Sequence, residues 1–171
     1  MTTENTLPND LILAQKQVYT PLKLDVTNIE KEVESAEYEA FTFKINSLYV
    51  IYREAKITPT KIGQFVTLWK RKVGQPIEPF HVSDKIDFII ISTRNSNQFG
   101  QFIFPKSILI ERGIISTENK EGKRAFRVYP PWDLAENKQA QASQKWQLNY
   151  FLTILGDENV DIERAKKLFG L

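Results

Sequence analysis

Between Lys85 and Ser92 the chain carries the run Ile86-Asp87-Phe88-Ile89-Ile90-Ile91. A run this apolar predicts the central strand of a sheet. It falls far short of the roughly 20 apolar residues that cross a bilayer. A central strand needs partners, and the flanking sequence offers them. Phe41–Ile45 and Leu48–Arg53 are rich in aromatic and β-branched residues and are joined by the polar turn Asn46-Ser47, a hairpin signature. Gly63–Lys70 predicts the next strand, and Gln101–Phe104 a strand returning from the polar turn Asn95–Gln98. Arg124–Tyr129 alternates strictly, with Arg124, Phe126 and Val128 against Ala125, Arg127 and Tyr129.

Helix signals stand on either side of these strands. Asn9 or Asp10 can cap a short helix running to Val18 and ended by Pro21. The acidic stretch from Asn28 places Ile29, Val33, Ala36 and Ala40 on one helical face. Pro105 suits the first position of a helix over Lys106–Arg112 that Gly113 stops. Asn137–Leu155 is the longest helix predicted, with Ala142, Trp146, Tyr150 and Thr153 at helical spacing, and Val160–Phe169 is the last. The sum is an α+β domain: a mixed, mainly antiparallel sheet of about six strands flanked by helices. The 171 residues fit one domain, 1–171, with Met1–Asn9 frayed. The opening MTTENTLPND has no basic region followed by an apolar one, so no signal peptide, no membrane partner and a cytoplasmic location are expected.

Net charge is only +2, but it is unevenly spread. Asp25–Glu39 holds six acids and one base; Lys44–Lys72 holds seven bases and one acid. Such asymmetry implies opposed faces, or an acidic segment lying against a basic strip. The densest part of the strip, REAKITPTKIGQFVTLWKR from Arg53 to Arg71, interleaves cations with aromatic and branched residues around the turn Thr58-Pro59-Thr60. Cations on strand faces with aromatics between them suit a polyanion better than a small neutral ligand. Lys56, Lys61, Lys70 and Arg71, joined by a second basic segment of Lys123, Arg124 and Arg127, are the candidate phosphate contacts. The bland alternative is a solubilising surface. Trp69, Trp132 and Trp146 can stack on bases, although rings of that size are more often core. Gln139, Gln144 and Gln147 can read base edges, or simply face solvent.

With no cysteine, disulfides, thiolate nucleophiles and cysteine-zinc sites are excluded. His81 is the only histidine, so a metal site would be built of oxygen and favour magnesium, manganese or calcium. Glu54-Ala55-Lys56 is the sharpest chemical hint. On a strand, a carboxylate two residues before a lysine shares its face, the E-x-K half of a nuclease signature in which acids hold a magnesium or manganese ion and the lysine activates water. A partner acid would come from Glu37, Glu39 or Asp87; no Pro-Asp precedes the motif. Asp84 and Asp87 suit a loop cap and a strand-end hydrogen bonder better than metal ligands. His81, Ser83 and Asp84 lie too close together in one loop for a catalytic relay. No phosphate-binding or dinucleotide glycine motif is present.

The strings AKITPTKIGQFVTLWKR, GQFIFPKSIL, GKRAFRVYPPW and KQAQASQKWQ, in that order, resemble the MepB family over roughly Tyr38–Phe151. The resemblance implies a restriction-endonuclease-like core, nucleic acid (DNA or RNA) as partner, and an association with multidrug-efflux operons. It favours Lys56 over Glu54, since the position of Glu54 is not dependably acidic in that family. Three functions are thus in play: nucleic-acid binding on a basic sheet face; a metal-dependent nuclease using Glu54, Lys56 and Asp87, with Glu54 and Asp87 on the metal; and an efflux-linked accessory that binds a drug or a protein.

Overall fold

The computed structural model describes residues 6–171. The main sheet has six strands in the order β1 (Val26–Lys31), β2 (Phe41–Ile45), β3 (Leu48–Glu54), β8 (Phe88–Asn95), β9 (Gln98–Pro105) and β11 (Phe151–Leu155). Every neighbouring pair is antiparallel except β3 and β8. The isoleucine run lies in β8, in the middle. Its alternation feeds two cores: Ile90 faces one, while Ile89 and Ile91 face the other. A strand buried on both faces needs no polar alternation, which is why its sequence reads as continuous apolar.

One face is covered by α1 (Asn9–Ala14), the π turn that extends it to Tyr19, and α4 (Ile162–Leu168). The opposite face is covered by α2 (Lys106–Glu111) and a small second sheet. That sheet has the order β10 (Ala125–Val128), β5 (Gln64–Thr67), β4 (Lys56–Ile57), and it buries Val66 and Val128. A third pairing joins β6 (Trp69–Lys70) to β7 (Glu78–Pro79). The helix α3 (Lys138–Gln147) lies beside β10.

Several expectations change. The acidic stretch from Asn28 is not a helix but the edge strand β1, paired with β2. Val26 and Ile29, three apart, would face opposite sides of a regular strand. An irregularity between Thr27 and Glu30, with Asn28 at φ +55°, lets both pack on the first core. Val33, assigned to the apolar helical face, is almost fully exposed. The long helix also ends early: α3 stops at Gln147, and Phe151–Leu155 becomes edge strand β11 against β9. Phe151 packs into one core while Leu152 and Ile154 pack into the other, a period of two that outweighs the helical spacing once β9 offers hydrogen bonds. Gly100 makes that pairing possible, because a Cβ there would collide with the Phe151 ring. The strand expected over Gly63–Lys70 breaks at buried Leu68 into β5 and β6, in different sheets. Neither Asn9 nor Asp10 caps α1; Pro8 precedes it, and Asp10 is engaged elsewhere. Of the stretch expected to fray, Met1–Asn5 lies outside the described residues, and Asn9 already begins the helix. Among the described residues no helix is long and apolar enough to cross a membrane.

Candidate nucleic-acid interface

The basic strip is largely answered by carboxylates. Arg53 is completely buried, with its guanidinium 3.0 Å from Glu32 and donating to Tyr52 O at 2.9 Å. Lys56 lies 3.9 Å from Glu37 and over the Tyr38 ring. Lys70 is held by Asp84 at 2.7 Å and Glu78 at 3.6 Å. Arg71 meets Glu34 at 2.8 Å and lies over Trp69. The acidic segment after β1 therefore lies against the strip, the second of the two arrangements that the charge asymmetry allows.

Four other cations converge without an ion pair among the described residues. Lys61, Arg112, Lys123 and Arg127 line a cavity of about 570 Å³ between the open edge of β10, the 60–62 turn and α3, where Glu136 is the one carboxylate among the described residues of its wall. Each is positioned by identifiable local structure. Lys61 rides on the turn between β4 and β5, closed by Gly63 at φ +85°; a Cβ there would press on the Tyr129 ring at 2.6 Å. Arg127 staples that turn: its guanidinium donates to Thr58 Oγ1 at 2.7 Å and to Gly63 O at 3.2 Å. Arg112 ends α2 and lies 5.3 Å from the Trp146 ring centroid, while Phe104 packs 5.4 Å away. Trp146 thus braces a guanidinium. Lys123 enters the site as its N–H bonds Ile114 O, leading into β10. Arg124 immediately precedes β10, is not in the cavity wall, and pairs with Glu121 at 2.8 Å.

Two of the glutamines of α3, Gln144 and Gln147, do not simply face solvent. Gln147 is buried; its Oε1 accepts from Tyr129 N at 2.8 Å and its Nε2 donates to Arg127 O at 3.0 Å. It serves the unpaired edge of β10 as a neighbouring strand would. Gln144 donates to Pro130 O and Asp133 O, and Asn137 caps α3 by accepting from Ala140 N. Gln139 remains exposed on the cavity wall. Trp69 packs under Arg71 and Trp132 against Phe151, so none of the three indoles is presented as a bare stacking surface.

The E-x-K residues part company. Glu54 is the last residue of β3, opposite Ser92. The chain leaves the main sheet at Ala55, and Lys56 opens β4 opposite Phe65 in the second sheet. Glu54 accepts from the Tyr52 hydroxyl at 2.8 Å, at the head of a buried chain through Ser92 and Gln101 to Tyr19. Burial pushes its carboxyl up to about 7; the Tyr52 bond opposes this, and nearby Asp10 and Glu39 add to it. Asp10 is itself clasped by Arg94 at 2.6 Å. Asp87 lies just before β8, its Oδ2 accepting from Tyr49 N at 2.8 Å. Ser92 is five residue steps further along, roughly 17 Å in an extended strand. Glu54, Lys56 and Asp87 are therefore not brought together, and among the described residues no group of three acids or histidines is arranged for a metal ion. Asp84 accepts from His81 N, while the His81 ring contacts Ser83, so these three form no relay.

A model of the MepB-like family matches residues 32–153. The chain belongs to the MepB-like family. A crystal structure of MepB matches at 36% identity with a TM-score of 0.74, covering 86% of this chain and 97% of that one. The bacterial homing endonuclease I-Ssp6803I aligns over 86% of this chain and 90% of its own at 12% identity and a TM-score of 0.43, a likeness too weak to bear on function. Comparison with curated proteins gave no match.

The matched family span contains the whole cavity and the acidic segment. Within it, sequence reasoning named Lys61, Lys123 and Arg127 and missed Arg112. Its position at the end of α2 carries no signal of what lies opposite; only the packing of α3 on β10 sets Trp146 beneath it.

Proposed function

We propose that this MepB-like protein binds nucleic acid by its phosphate backbone at the cavity beside β10. The observation that carries this reading is the convergence of four cations, unpaired among the described residues and distant in sequence, on one concavity. Held at fixed positions without carboxylate partners, they present a positive field to a polyanion and release its condensed counterions on contact. Lys61 and Lys123 are exposed and reach a phosphate chain directly, and Arg112 adds a planar fork. Gln139 and Ser143 in the same wall supply neutral donors and acceptors.

The test is a gel-shift titration with DNA and RNA at two salt concentrations. Binding that weakens steeply with salt, and that Lys61→Ala/Lys123→Ala impairs, is the expected result. No binding to either nucleic acid at low salt overturns the reading. The separation of Glu54, Lys56 and Asp87 gives no support to cleavage over binding. The charged cavity wall does not suit an apolar drug.

A further inference from the structure

The outer face of the small sheet carries a second row of side chains. Phe65 on β5 is paired directly with Arg127 on one side and Lys56 on the other. Directly opposed residues point to the same face, so Arg127, Phe65 and Lys56 form one line across all three strands, spanning about 10 Å. Arg127 is already part of the cavity wall, and the line continues away from it. The acidic segment between β1 and β2 lies on top of this line. Tyr38 packs on Phe65, Ser35 accepts from Thr67, Glu37 pairs with Lys56, and Glu34 reaches Arg71.

This cover has the marks of something held rather than built in. Ser35 and Glu39 both adopt left-handed backbone conformations, at φ +57° and +47°, which non-glycine residues enter at a cost. The ion pairs that hold it outward of Glu32 are exposed, and such pairs are weak and screened by salt. Its root is firm: Glu32 is anchored on buried Arg53, and Glu32 N–H bonds Ala40 O. Beyond its base the segment is held by those exposed ion pairs, the Ser35–Thr67 hydrogen bond and the Tyr38 ring on Phe65.

We propose that residues 32–39 are an acidic strap that masks a second phosphate-binding stretch, Lys56 and Arg71. A nucleic-acid backbone entering from the cavity displaces Glu34 and Glu37 and takes their places. The inference rests on the proposed nucleic-acid function and extends that site across the small sheet. The strap carboxylates set a threshold: a ligand long enough to reach past Arg127 must replace two ion pairs, so a short anion fills the cavity alone.

The experiment compares the full-length protein with Glu34→Gln/Glu37→Gln, titrated with a mixed-sequence oligonucleotide, single-stranded and annealed, over a range of salt. The variant is expected to bind about 3- to 10-fold tighter at low salt, with a salt slope steeper by about one to two, one for each cation released. Adding Lys56→Ala to the variant is expected to remove about half of that gain. Wild-type binding with no change in affinity or slope in the variant overturns the strap and leaves the cavity reading standing. Binding by the variant alone supports the masked stretch and overturns the cavity as the primary seat. Binding by neither overturns both.

Discussion

Two groups of cations in this molecule have opposite fates. Arg53, Lys56, Lys70, Arg71 and Lys72 come from the most basic part of the sequence, and each is within 4.0 Å of a carboxylate. Lys61, Arg112, Lys123 and Arg127 come from three separate stretches and meet no acid at that distance among the described residues. Density along the chain therefore misleads as a guide to field. What counts is whether acids fold back onto the cations: here residues 32–39 meet Arg53, Lys56 and Arg71, while Glu78 and Asp84 meet Lys70 and Lys72, and no carboxylate among the described residues pairs with the second group. The difference separates cations already met by carboxylates from cations still open to the proposed ligand.

The largest test of that separation removes the deepest pair. Glu32→Ala leaves the Arg53 guanidinium buried without its counter-charge, and stability is expected to fall by about 3–4 kcal/mol. Differential scanning calorimetry should register a midpoint lower by about 6–16 °C.

Glu54 forms no ion pair among the described residues, and the nearby guanidinium of Arg94 is committed to Asp10. Its carboxyl is raised from 4.5 to about 7, so the folded state binds more protons than the unfolded state between those values. Stability should then fall as pH rises through that window, by about 3 kcal/mol, and stay level above it. Glu54→Gln should flatten the pH dependence of the melting midpoint; an unchanged profile would show that the carboxyl titrates normally.

Binding experiments separate the groups directly. Lys61→Ala/Lys123→Ala is expected to lower low-salt affinity about 10- to 100-fold and the salt slope by about two. Lys70→Ala should change affinity by less than about twofold, because that ammonium is already satisfied by Asp84. Equal losses in the two variants would erase the distinction on which the proposed site depends.

Much of the architecture was legible beforehand. The isoleucine run declares a strand buried on both faces, and the hairpin of β2 and β3 lies where its turn and β-rich flanks place it. The failures are as instructive. Ile29 and Val33 read as a helix face because a bulge at Asn28 is invisible to periodicity. Phe151–Leu155 reads as helix because its apolar spacing fits both periods, and only β9, 50 residues earlier, decides between them. The glutamines of α3 look like surface until β10 arrives with unpaired backbone groups for Gln147 to satisfy.

From the sequence alone follow the alternation of strands and helices, the absence of thiol chemistry, and the presence of both an acidic and a basic segment. These are properties of residues and their near neighbours, set by side-chain volume, polarity and backbone preference. Which positive charges remain free was left to the tertiary structure. Coulomb attraction acts across a few ångströms of space regardless of separation along the chain, so the pairing of Glu34 with Arg71, and the lack of an acidic partner for Lys123 among the described residues, were decided only when the sheets packed.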